Sequence, residues 1–217
     1  MSMPKSVLVF APHNDDEVLG AGGTIRKLAK SGCEVTVCEV TAGASASLLQ
    51  DEARKAHKLL GVKNSLFLNL PVCKLDGLDK AELNAGFCKT VDEIRPEIVL
   101  IPHHGDMHLD HRWVAEAAMV AVRPLAAPFV KTVLAYETLS ETEWNIPSAD
   151  NAFIPNVWIN IGEELPDKLA AMECYASQLK AFPHPRSLKA IESLARYRGS
   201  TVGKEAAEAF MLIRGII

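Results

Sequence analysis

Short apolar, β-rich runs alternate with segments of helical spacing along the first half of the chain, and no other feature of the sequence restricts the fold as strongly. Val7 to Phe10 reads as a strand that stops at Ala11-Pro12. Val18, Leu19, Ile25 and Leu28 then recur at helical spacing until Ser31-Gly32. Cys33 to Thr41 is the next strand, Leu48 to Leu60 a helix closed by Gly61, Ser65 to Leu70 a short third strand, and Asp79 to Ile94 a helix stopped before Pro96. Ile98-Val99-Leu100-Ile101 is apolar at every position, as suits a central strand covered on both faces. A helix over roughly Arg112 to Val122, strands over Lys131 to Tyr136 and Val157 to Ile161, and a late helix over Leu165 to Leu179 follow. Strands joined by crossover helices pair in parallel. The expectation is an α/β fold: one doubly wound, Rossmann-like three-layer domain over residues 1–217 with a mostly parallel sheet. Turns at Pro147, Pro155, Pro183 and Pro185 break up the last third without a linker-like shift in composition.

Composition narrows the partners. The chain has 217 residues, enough for a sizeable core, and its 48% hydrophobic and 23% charged residues fit an ordinary globular protein. A net charge of −4 and the lack of any basic run give no electrostatic footprint for nucleic acid or an anionic membrane. The first apolar stretch is too short, and too soon interrupted by His13 and its acids, for a signal peptide; no stretch approaches the ~20 apolar residues of a membrane span. Cys33, Cys38, Cys73, Cys88 and Cys174 are odd in number and dispersed, so free thiols in a reducing compartment are expected. The reading is a cytoplasmic protein without nucleic-acid or membrane partners.

In a doubly wound sheet the first strand and the first strand of the second half are neighbours, and ligands bind at the crevice between their carboxyl ends. Here the segments leaving those ends are His13-Asn14-Asp15-Asp16-Glu17 and "HHGDMHLDHR", residues 103–112. His13, His103, His104, His108 and His111 thus share one crevice with Asp15, Asp16, Glu17, Asp106 and Asp110. Imidazole nitrogen with carboxylate oxygen suits zinc or another first-row divalent ion, which brings the pKa of a bound water to about 7 and makes hydrolysis the natural chemistry. Acids in the first turn of a helix also complement its dipole, so the acidic triplet alone does not require a metal; the facing histidine loop is what favours one. Gly20-Ala21-Gly22-Gly23 does not read as a dinucleotide motif. It follows the loop instead of forming it, and Asp15, Asp16 and Glu17 stand where a pyrophosphate would sit, so close helix-on-sheet packing is its expected role.

These residues resemble the LmbE-like, or PIG-L-type, zinc-dependent N-acetylglucosamine deacetylases. The family's A-H-P-D-D-E signature is similar to Pro12-His13-Asn14-Asp15-Asp16-Glu17, with Asn14 at the usual proline, and its H-x-D-H to His108-Leu109-Asp110-His111. Softer resemblance runs through "YETLSETEWN" (136–145), "PNVWINI" (155–161), "YASQ" (175–178) and "RGSTVGKEAAEAF" (198–210), so it spans essentially the whole chain. The resemblance implies that His13, Asp16 and His111 ligate zinc and that Asp15 is the general base. It also implies that protonated His108 stabilises the oxyanion, with Asp110 orienting it, and that Glu17 supports the loop. Leu49 stands where relatives often carry an arginine associated with substrate handling. Arg186 is a candidate for binding a substrate carboxylate or phosphate, or else a solvated arginine on a turn.

The function so implied is removal of acetyl from an N-acetylglucosamine-type sugar conjugate, a small-molecule substrate, by metal-activated water. Hydrolysis of another amide or ester, and a non-catalytic Rossmann-type sugar- or nucleotide-binding domain, are the alternatives. Relatives form trimers or hexamers, and the apolar "FMLIRGII" at 210–217 is suited to pack against something, so a homo-oligomer is expected.

Overall fold

A computed structural model describes residues 4–216. The elements run β1 Ser6–Ala11, α1 Asp16–Lys30, β2 Glu34–Ala42, α2 Ala46–Leu60, β3 Asn64–Pro71, a 3₁₀ turn at Leu75–Gly77, α3 Lys80–Ile94 and β4 Ile98–Pro102, and continue as α4 Leu109–Ala121, β5 Thr132–Tyr136, β6 Val157–Asn160, α5 Leu165–Cys174, α6 Leu188–Ser200 and β7 Ala207–Gly215. They form one seven-stranded sheet in the order β3-β2-β1-β4-β5-β7-β6. The expected α/β class and mostly parallel sheet hold: β3, β2, β1, β4 and β5 pair in parallel, while β7 runs antiparallel between β5 and β6. β1 and β4 are neighbours, as a doubly wound order requires.

Both faces of the central strands are covered, which is why they are apolar throughout. Alternation along β1 sends Val7 and Val9 into a core shared with α1, α2 and α5, and Leu8 and Phe10 into one shared with α3 and α4. The glycines of α1 pack as expected. A Cβ on Gly20 would lie 2.2 Å from the Tyr136 ring on β5, and one on Gly23 2.7 Å from Ile161. Tyr136 cannot swing aside cheaply, because it is fully buried and donates its hydroxyl proton to the Phe10 carbonyl at 2.7 Å. Gly20→Ala should therefore destabilise the protein by about 1–3 kcal/mol, as overpacking does. Chemical denaturation would check this, and an unchanged midpoint would contradict it.

Two expectations need correction. The late helix ends at Cys174 instead of Leu179, and the following residues turn tightly, with the Gln178 and Leu179 amides both donating to the Tyr175 carbonyl. α4 begins at Leu109 instead of near Arg112, because the His108 side chain caps it by accepting from the Asp110 amide at 3.1 Å. Histidine is not among the preferred capping residues, so the sequence carries no mark of this start. The apolar C-terminal segment, suited to pack against something, packs within its own chain as β7 up to Gly215, and Leu212, Ile213 and Ile216 are its exposed large apolar side chains among the described residues. Ile217 lies outside the described residues. The helix α6 before it, Leu188–Ser200, has no counterpart among the elements expected from the sequence.

Candidate metal-centred active site

The carboxyl ends of β1 and β4 deliver the two polar segments to one place. β1 ends at Ala11, and the chain turns through Pro12 to Asp15, whose φ of +112° lies in the left-handed region that Asp tolerates better than most residues. This conformation directs Asp16 and Glu17 into the first turn of α1, where all three acids are buried. Backbone held in a sparsely populated region is common where a site imposes geometry. Here the Asp15 amide donates to Glu17 Oε2 at 3.2 Å, and Tyr175 donates its hydroxyl to Glu17 Oε1 at 2.6 Å.

His13, Asp16 and His111 converge. Asp16 Oδ2 lies 3.2 Å from His13 Nδ1 and 3.1 Å from His111 Nε2, and it also accepts the His13 amide proton at 2.8 Å. Each imidazole has a second carboxylate on its other nitrogen, Asp110 Oδ2 at 3.2 Å from His13 Nε2 and Asp106 Oδ2 at 2.8 Å from His111 Nδ1. Asp106 is in turn fixed by the Thr142 hydroxyl at 2.6 Å. Backing a histidine with a carboxylate is how proteins set the ring orientation of a metal ligand.

The electrostatics follow from burial and crowding. Burial alone would raise the Asp16 carboxyl, but the facing His111 and His13 drive it well below the usual range. Burial disfavours charge on both imidazoles, yet their carboxylate neighbours win, raising His13 to about 8 and His111 to about 10. A carboxylate-rich pocket that draws positive charge onto its imidazoles is a seat suited to a cation. The donors fit such an ion: Asp16 Oδ1 and His111 Nε2 are buried without a hydrogen-bond partner, and the 3.1–3.2 Å spacings approach the about 3.3 Å edge of a tetrahedral zinc site with 2.0–2.1 Å bonds.

Beside this seat Asp15 presents both carboxylate oxygens without a hydrogen-bond partner, although Arg186 Nη1 lies 3.4 Å from Oδ2. Burial pushes its carboxyl up to about 8, with the Arg186 charge acting in the opposite direction. Arg186 is not a solvated turn residue. Its Nε donates to the Ser140 hydroxyl at 2.9 Å and its Nη2 lies 3.4 Å from Glu141, so its charge is already shared between two carboxylates. A cavity of about 320 Å³ opens over the group, walled by His13, Asn14, Asp15, His108, Glu141 and Arg186, with Leu49 on its lining.

One assignment shifts. Burial, and after it the neighbouring His13, hold the His108 imidazole down at about 4. Its Nδ1 accepts from the Asp110 amide, which leaves Nε2 as the donor nitrogen of the ring. The Asp110 carboxylate lies 3.9 Å from His108 Nδ1 and instead meets His13 and the Cys73 amide, so only the backbone of Asp110 orients His108. His103 and His104 leave the group altogether. His103 Nε2 contacts the Asn151 carbonyl at 3.0 Å, and His104 is an exposed partner of Glu116. The sequence places Asp106 in the crevice without a role, five residues before His111. Glu141 and Tyr175 lie in the softly resembling stretches, and only folding brings them near the site.

Fold and site together define a three-layer α/β protein with a histidine–carboxylate seat at the switch point of its sheet. The PIG-L family, described as GlcNAc-PI de-N-acetylase, matches residues 8–122, and the chain belongs to this family. An uncharacterised deacetylase of Escherichia coli (strain K12) is 30% identical over 186 residues, covering 80% of this chain and 91% of that protein. A diacetylchitobiose deacetylase of Thermococcus kodakarensis is 26% identical over 230 residues, covering 98% and 84%. The crystal structure of a conserved protein from Thermus thermophilus superposes with a TM-score of 0.81 at 25% identity, covering 97% and 96%.

Proposed function

We propose that this chain is a zinc-dependent N-deacetylase that removes acetyl from an N-acetylglucosamine-type sugar conjugate. The observation that carries the reading is the convergence of His13, Asp16 and His111 at 3.1–3.2 Å spacings with the unpartnered Asp15 carboxylate beside them. His13 Nδ1, Asp16 Oδ2 and His111 Nε2 would hold the ion, which when bound supplies Lewis acidity to the acetamide carbonyl and lowers the pKa of water. Asp15 takes the proton of the attacking water and returns it to the departing amine nitrogen as the carbonyl C–N bond breaks. His108 donates its Nε2 proton as a hydrogen bond to the carbonyl oxygen as charge develops there. Glu17 holds the Asp15 amide, and Arg186 with Glu141 orders the cavity wall against which the sugar rests.

Residues 1–217 are taken as a single domain, supported by a sheet whose strands run from Ser6 to Gly215. No helix among the described residues is long and apolar enough to cross a membrane. A cytoplasmic location is supported by five cysteines that are all free. Assembly into a homo-oligomer remains part of the reading, with the half-exposed Leu212 and Ile213 as its support.

Acetate release from N-acetylglucosamine conjugates tests the reading. Dialysis against a chelator should lower turnover by at least about 100-fold, with zinc restoring it, since a bound metal would supply the Lewis acidity that the residues alone lack. Full activity in metal-free protein would reject metal dependence. Turnover confined to other amides or esters would reject the sugar substrate, and zinc-loaded protein inert toward all of them would favour a binding domain.

A further inference from the structure

A second cluster of ligand-type side chains lies behind the catalytic loop, and two of its three members have no part in the proposed reaction. Glu17 in the first turn of α1, Glu39 on β2 and His57 in the last turn of α2 bring one ligand atom each to within 4.8 Å of one another, and none is more than 1% exposed. His57 Nε2 is 3.4 Å from Glu17 Oε1 and 3.4 Å from Glu39 Oε1. The ring is held in this orientation by Ser65, whose Oγ is 2.7 Å from Nδ1. The β2–β3 register shifts between Glu39 and Thr41, an irregularity of the kind that re-aims side chains beside functional sites.

Glu17 is hydrogen-bonded at both oxygens, Oε1 by the Tyr175 hydroxyl and Oε2 by the Asp15 amide, but hydrogen bonding does not account for Glu39 and His57. Both oxygens of Glu39 and Nε2 of His57 are buried without a hydrogen-bond partner. Buried carboxylates normally have their lone pairs satisfied, and a charge-assisted N–H···O contact closes to about 2.7–2.9 Å. Two equal separations of 3.4 Å instead match the about 3.3 Å edge between ligands of tetrahedral zinc at 2.0–2.1 Å, close to the spacing at His13, Asp16 and His111. Two carboxylates also offset the charge of a divalent ion, so that a bound pair costs less to bury than either acid alone.

We propose that Glu17, Glu39 and His57 form a second, structural binding site for zinc or a zinc-like divalent ion, buried beneath the catalytic one. The mixed nitrogen and oxygen donors favour such an ion over calcium or magnesium, which take more oxygen ligands. Complete burial means that the ion is taken up as the chain folds. Glu17 joins the two sites, because its other oxygen accepts the Asp15 amide proton.

Metal counting decides the matter without reference to substrate. Protein folded in the presence of zinc, freed of loosely held ion and analysed by mass spectrometry should carry two zinc per chain. His111→Ala and Glu39→Gln should each carry one, Glu39→Gln being close in shape to the native residue. Crystals of the zinc-loaded native protein should show two anomalous peaks at the zinc edge, one of them between Glu17, Glu39 and His57. One zinc in the native protein, no peak at those three side chains, or two zinc retained in Glu39→Gln would each overturn the second site. Failure of acetate release with two zinc bound would instead count against the deacetylase reading and leave this site standing.

Discussion

Asp15→Asn should lower kcat/KM for acetate release by about 10²–10⁴-fold while leaving the metal content unchanged, the loss typical of removing a general acid–base group. Asn keeps the shape of Asp and tolerates a φ of +112°, so the loop is retained. The amide cannot take a proton from water or return one to the leaving nitrogen. His13, Asp16 and His111 do not rely on the Asp15 side chain, because their mutual contacts and the backing of Asp106 and Asp110 are made without it. Steady-state kinetics and metal analysis on the same sample check both halves. Near-native turnover would show that another group handles the proton, and loss of metal would show that Asp15 is part of the seat.

Lys168→Met should cost about 3–5 kcal/mol of stability, the usual result of breaking a buried ion pair by removing one partner. That corresponds to a fall in Tm of roughly 10 °C for a chain of this size. Lys168 and Glu208 are 3% and 4% exposed. Lys168 Nζ is 2.5 Å from Glu208 Oε1 and donates to the Leu19 carbonyl at 2.9 Å, while Glu208 also accepts the Gly23 and Thr24 amide protons. Met fills the space of the lysine stem and leaves Glu208 buried without its cation. Because the pair ties α5 and β7 to the middle of α1, the variant tests the seam on which the helix carrying Asp16 rests. Calorimetry showing a loss below about 1 kcal/mol would mean that solvent or a neighbour replaces the missing charge.

Elements are legible in the sequence where local chemistry is strong. The β4 run Ile98–Ile101, the Gly61 end of α2 and the Asp79 start of α3 are each specified by residues within a turn of one another, and Asp79 caps α3 by accepting from the Ala81 and Glu82 amides. They are not legible where the signal is weak or distant. The late helix reads past Cys174, because Tyr175 to Leu179 lack a glycine or proline to mark the stop and are held instead by turn hydrogen bonds. β7 reads as a surface for association, because nothing within Ala207–Gly215 says that it inserts between β5 and β6.

For the site the division is similar. Alternating apolar runs and helical spacing by themselves determined that most strands pair in parallel and that two His- and Asp-rich segments leave the carboxyl ends of neighbouring strands, since periodicity decides which faces are buried and the crossover rule decides adjacency. Tertiary structure alone decided which imidazole nitrogen faces Asp16, that Asp106 backs His111, that His108 accepts the Asp110 amide through Nδ1, and that Arg186 reaches Asp15. These depend on separations near 3 Å, many of them between residues far apart in the chain, and such distances are set by how the helices and loops pack, not by the residues adjacent in sequence.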